Sequence, residues 1–273
     1  MVGIRKFIKN PGKWLAVGTA LAMALAMTLV TAIPVSAGGY DLLTAGSWVG
    51  PINGAYFESY TPKLATGSGR YDSFLRIQKN NSEKGYNTDG DLQSPPFNTK
   101  SGTFTHSMQL GAIPIVTDPI LGANTSNELQ LSGTFYELRC DTNESGSAGS
   151  TEQKLTLKRL EIWMVPAPAG ATITGYVDNN PSGYPPSAGF AGISGATKIW
   201  SLDDGENNWI NMTTALNPGS GGQDNAYYVP TNVFSGWSNT DYFVLFAEFG
   251  TETGQTTYDT SDGFEEWGVV YVS

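Results

Sequence analysis

Residues 242–249 read Tyr-Phe-Val-Leu-Phe-Ala-Glu-Phe, apolar on both parities except at Glu248. The run is short enough for a strand, and successive strand side chains point to opposite faces. It therefore has to be a central strand covered on both sides. A chain holding such a strand needs a second layer against one face and further cover on the other. The rest of the sequence supplies β material. Gly (33) and Pro (15) punctuate short runs rich in Tyr, Trp, Phe and Thr, and no helical periodicity follows residue 37. Strands are expected at 73–79, 104–110, 129–138, 155–165, 172–177, 198–202, 209–213, 226–229, 242–249 and 264–272. The expected fold class is all-β: a single β-sandwich over residues 38–273, jelly-roll-like in its strand order.

Two strands carry more detail. In 155–165, Leu155 and Leu157 share one parity while Leu160, Ile162 and Met164 share the other. A strand cannot change faces without an extra residue, so a bulge is expected near Lys158-Arg159. In the last strand Phe264 and Glu266 alternate with Glu265 and Trp267. Val269 and Tyr271 extend the Trp267 row, so Trp267 is expected in the core. Loops are expected at 141–151 (DTNESGSAGST), 166–170 (PAPAG) and 179–188 (NNPSGYPPSA). The Pro-rich stretch 166–190 reads as a long loop within one domain rather than a boundary.

The first 37 residues read as an export signal. Arg5, Lys6, Lys9 and Lys13 precede an uncharged run at 14–33, then Pro34 and the small residues Val35-Ser36-Ala37. Cleavage is expected after Ala37; an uncleaved membrane anchor is the alternative. No Cys follows the apolar run, which excludes a bacterial lipoprotein. The leader holds four of the 15 basic residues and no acidic one, so the remainder has 11 against 25, a net charge of −14. Such a surface repels nucleic acid and anionic membranes, and no membrane span is expected after the leader. Secretion or cell-surface display follows.

The chemistry-bearing residues are few. His106 is the only histidine and Cys140 the only cysteine, which disfavours a zinc site and a Ser-His-Asp triad. Cys140 reads as a small buried apolar residue, with pairing between chains as the alternative. Glu248 in its apolar strand is a candidate hydrolytic carboxylate, or a structural one paired with Arg76. Glu265 and Glu266 point to opposite faces and cannot act as a pair. Calcium is the one cofactor considered. Asn87-Thr-Asp89-Gly-Asp91 spaces oxygen ligands on alternate residues, and Asp203, Asp204 and Glu206 form a second acidic turn. The alternative for both is a solvated turn. Among the tryptophans, Trp200, Trp209 and Trp267 lie in strand-like runs. Trp237, in Phe-Ser-Gly-Trp-Ser-Asn, is the candidate ligand-binding aromatic.

Two blocks carry a family resemblance. One is Ser73-Phe-Leu-Arg-Ile-Gln78 followed by Glu83-Lys-Gly-Tyr-Asn-Thr-Asp89. The other runs from Ile199-Trp-Ser-Leu-Asp203 to Asp262-Gly-Phe-Glu-Glu-Trp267. The chain resembles exported bacterial surface proteins of the exosortase-associated (PEP-CTERM) class, carried chiefly by "GYNTD" and "DGFEEW". The resemblance implies an extracellular domain and a cell-surface location. The sequence closes at Ser273 without the sorting motif, apolar helix and basic tail of that class, so C-terminal sorting is not implied. The leading expectation is a non-enzymatic secreted or cell-surface β-sandwich of the envelope or extracellular matrix. Its expected partners are extracellular polysaccharide or other surface proteins. A carbohydrate-binding module is the first alternative and a carboxylate-dependent glycoside hydrolase the second.

Overall fold

The computed structural model describes residues 38–59, 71–90, 97–100, 103–147, 150–167, 172–173, 175–178, 188–190, 195–217, 222–261 and 263–271. The expected leader at 1–37 and the candidate ligand Asp91 lie outside the described residues. Among the described residues, alternation and turn chemistry yield nineteen strands in chain order. They are β1 (Gly39–Leu42), β2 (Trp48–Ile52), β3 (Ala55–Ser59), β4 (Tyr71–Ile77), β5 (Asn80–Tyr86), β6 (Met108–Gln109), β7 (Ile115–Thr117), β8 (Ile120–Leu121), β9 (Leu129–Gln130) and β10 (Thr134–Thr142). After these come β11 (Lys154–Val165), β12 (Tyr176–Asp178), β13 (Ala188–Phe190), β14 (Thr197–Ser201), β15 (Trp209–Thr213), β16 (Asn225–Pro230), β17 (Tyr242–Gly250), β18 (Thr260–Ser261) and β19 (Glu265–Val270). Helix among the described residues is confined to short 3-10 turns, and none is long and apolar enough to cross a membrane.

The strands form an all-β sandwich. One sheet runs β1-β15-β11-β17-β5-β18, with β14 beside β11 and β6 beside β17. The other runs β2-β3-β16-β10-β19-β4, with β7 beside β10. The β1–β15 pair is parallel, whereas the pairs that carry the two sheets' centres are antiparallel. Two small hairpins, β8–β9 and β12–β13, complete the described strands.

The core sits between the sheets. Phe243, Leu245, Ala247 and Phe249 of β17 enter it, while Val244 and Phe246 enter a second cluster with Tyr86, Trp163 and Ile173 on the outer face. This is the two-sided cover that residues 242–249 demand, and each fully buried Phe, Leu or Val among them contributes about 1.5–3 kcal/mol. A third cluster, built on Phe135, Ala226 and Tyr228, covers the outer face of the other sheet.

The bulge expected in β11 is present, with its register against β17 shifting between Leu157 and Arg159. Leu155 and Leu157 before it, and Leu160, Ile162 and Met164 after it, all reach the core. Other expectations need correction. The strand expected at 104–110 shortens to β6, because residues before it lie along the edge of β4 through single bonds. The His106 N–H donates to the Phe74 carbonyl and the Arg76 N–H to the Thr105 hydroxyl. The strand expected at 129–138 breaks into β9 and β10, with Gly133 between them at φ +114°, a conformation reserved for glycine. The loop expected at 141–151 starts two residues late: Asp141 and Thr142 belong to β10, and Glu144 turns inward.

Candidate functional site

The site begins with two strands on opposite sheets. Glu83 on β5 pairs with Phe249 of β17, which points into the core, so Glu83 points there too. Glu265 on β19 shares the parity of Trp267, also a core residue, and lies opposite Ile77 and Thr142. Both glutamates are completely buried. Glu144, just past β10, brings a third carboxyl to the same place, and the Glu265 carboxyl is within hydrogen-bonding reach of both Glu83 and Glu144. Glu83 and Glu265, from strands of different sheets, thus approach each other across the sandwich.

Each neighbour of Glu265 is anchored. The Lys79 N–H donates to Glu83 Oε2 at 2.6 Å, which closes the turn from β4 to β5. The Ser261 N–H donates to Glu144 Oε2 at 2.5 Å, and the Ser261 hydroxyl donates to the same oxygen. No donor among the described residues reaches either oxygen of Glu265. Burial, then the charges of Glu83 and Glu144, push the Glu265 pKa well above the usual carboxylate range. The buried Cys140 thiol lies nearby and is raised first by burial and next by Glu265.

Ser261 also lines a surface pocket of about 500 Å³ between the start of β5 and the segment leading into β18. Its lining includes Asn80, Asn81, Thr257, Tyr258, Asp259 and Ser261, with the Thr257 hydroxyl bonded to the Glu252 backbone and the Ser261 hydroxyl to Glu144. The Lys154 ammonium lies 5.1 Å from the centre of that ring. Most of the lining residues bear an amide, a hydroxyl or a carboxylate.

Three of the residues expected to bind calcium make contacts within the protein. The buried Asn87 amide donates to the Phe243 carbonyl and accepts from the Leu245 N–H, clasping β17 near its start, on either side of Val244. Asp89 accepts from the backbone and hydroxyl of Ser107. Buried Asp203 accepts from the Asn208 N–H across its own turn, and burial pushes its pKa up to about 7. Asp204 is exposed and Glu206 half-buried beside it. Among the described residues, no three Asp, Glu, His or Cys side chains form a set that could hold a metal ion.

Trp237 is half-buried and packs against the main core. Trp163, Trp200, Trp209 and Trp267 are buried, and the Trp48 indole donates to the Asn127 carbonyl. These rings form no exposed aromatic row. Glu248 is paired differently from the expectation, with Lys158 at 3.1 Å and Arg159 at 3.9 Å. Arg76 lies on the other sheet, where it pairs with Glu266 and stacks over Phe104 and Phe264. Sequence reasoning missed the pocket and the inward roles of Glu83 and Glu144. The one available signal was Glu265 on the parity of a core tryptophan.

No family model, curated protein or solved structure matches the chain.

Proposed function

We propose that this chain is an exported, non-enzymatic β-sandwich of the cell surface or extracellular matrix, which recognises a neutral extracellular polysaccharide at the pocket between Asn80 and Ser261. The pocket lining carries this reading. Sugars present dense hydroxyls that both donate and accept, and side-chain amides, hydroxyls and carboxylates match them group for group. The Tyr258 ring offers an apolar face for sugar C–H groups. A volume of about 500 Å³ holds one or two sugar rings rather than a long groove-bound chain. Asp259 and Glu152 at the pocket, on a domain of strongly negative charge, favour a neutral glycan over an anionic one. The surface location rests on the leader and on the resemblance of the Glu83 and Glu265 blocks to exported proteins.

The test is a binding screen of the purified protein against neutral and anionic polysaccharides, with release of new reducing ends measured on each. Retention of a neutral glycan without bond cleavage is expected. Cleavage would move the protein to the carboxylate-hydrolase reading, and failure to retain any glycan would remove polysaccharide recognition.

A further inference from the structure

We propose that β1 is an exchangeable strand: the slot it fills beside β15 takes the β1 of a second copy of this chain as well as its own, so that copies join strand into sheet. β1 lies at one end of its sheet and pairs with β15 in parallel, whereas the other described ladders are antiparallel. Antiparallel neighbours grow from hairpins, but a parallel strand has to arrive by a crossover. Here the chain leaves β1 and passes to the other sheet at β2. β1 therefore sits on β15 as a strand added to a sheet edge. Neither β1 nor β15 lines the glycan pocket.

The slot is specific for this segment. Gly39 lies opposite Trp209, and a Cβ on it would stand 2.3 Å from the indole Nε1, so any larger residue would displace the ring. The Trp209 N–H donates to the Gly38 carbonyl at 3.4 Å. The Asn211 amide donates to Asp41 Oδ1 at 2.9 Å. Leu42, opposite Met212, is fully buried in the main core. Contacts at Gly39, Asp41 and Leu42 fix the register, and an identical strand from another copy satisfies every one of them. Only the connection over residues 43–47 tells the two strands apart. The own-chain and exchanged states therefore share their contacts, and the balance between them follows protein concentration.

β1 has four residues and one ladder, in the less stable parallel sense, so it opens locally with little free energy. Its departure uncovers the β15 edge and the place of Leu42 in the core, and an uncovered edge recruits another strand. The connection works the other way. The Thr44 carbonyl accepts from the Ser47 N–H at 3.0 Å, the Ser47 hydroxyl at 2.7 Å and the Ser59 hydroxyl at 2.5 Å, a turn that keeps β1 near its own slot. So short a link gives β1 an effective concentration on the order of millimolar. The closed form prevails in dilute solution, and exchange takes over at comparable protein concentration, as in a crowded surface layer.

The experiment measures the mass of the purified protein by light scattering from micromolar to millimolar concentration, before and after refolding at the upper end. Asp41→Cys and Asn211→Cys place thiols on paired residues of the ladder, and the native Cys140 is buried. Wild type should reach the mass of two or more chains as concentration rises. The two single variants, refolded together and oxidised, should form a disulfide between copies. The double variant, oxidised while dilute, is locked onto its own strand and should keep the single-chain mass at millimolar concentration. Asn211 also bonds Thr156 and the Thr256 carbonyl, so Gly39→Leu, which leaves those bonds in place, is a second probe. It should bar β1 from every slot and abolish association. A single-chain mass for wild type at every concentration would overturn the exchange. So would association that survives in the locked double variant or in Gly39→Leu, since the contact would then lie on another surface.

Discussion

Trp267 has no exposed surface and lies between Tyr227 and Phe249, with ring centres 4.7 and 6.3 Å away. Removing a ring packed this way deletes its transfer energy and leaves a cavity, a loss of about 3–5 kcal/mol. Trp267→Ala should lower the denaturant midpoint severely. Phe264→Ala should have a milder effect, because Phe264 is half-exposed beneath the Arg76 guanidinium. Equal losses at the two positions would mean that the alternation does not decide which side chain supports the core. That alternation was legible in the sequence, since period 2 sorts neighbours onto opposite faces without knowledge of the fold. It also put Glu265 on the buried parity. The partners of Glu265 were not legible, because Glu83 and Glu144 join it only when two sheets and a turn come together. The Tyr271 end of the apolar row was misleading: Val269 is buried but Tyr271 is 41% exposed, because β19 ends at Val270.

At the scale of elements, Asn87 shows how a side chain completes a sheet where strand pairing stops. β5 ends at Tyr86, and the next residue bonds both the carbonyl of Phe243 and the N–H of Leu245 on β17. Asn87→Ala orphans two buried backbone groups, at about 1–3 kcal/mol each. The loss should be the same with calcium as with a chelator; a loss confined to calcium-containing buffer would restore Asn87 to a metal site. The same contrast governs how far the elements could be read. Strands with a clear apolar parity, such as β11 and β17, were legible, and so was the β11 bulge. β5 (Asn-Asn-Ser-Glu-Lys-Gly-Tyr) was not, because its one inward carboxyl breaks the pattern. The β2–β3 hairpin carried a signal that went unread. Asn53 and Gly54 form its turn at φ +49° and +85°, the Asn-Gly pairing that two left-handed positions require.

At the scale of the whole molecule, the described sandwich buries most of its large apolar rings in three clusters and opens a pocket lined by Asn, Thr, Ser and acidic residues to solvent. The all-β class was legible from composition and turn chemistry. The strand order was not, since the strands that neighbour β17 come from both halves of the chain. Nor was the pocket legible, because Asn80 and Asn81 belong to β5 while Tyr258 and Asp259 precede β18. The measurement that tests the account most directly is a calorimetric titration with the neutral polysaccharide best retained in the screen. Wild type is compared with Tyr258→Ala and with Asn80→Ala, two residues that line the pocket. Both residues line the pocket, so each variant should stay folded while losing about tenfold or more in affinity, the loss of roughly one good contact. Folded variants that bind as tightly as wild type would contradict the assignment of this pocket to glycan recognition.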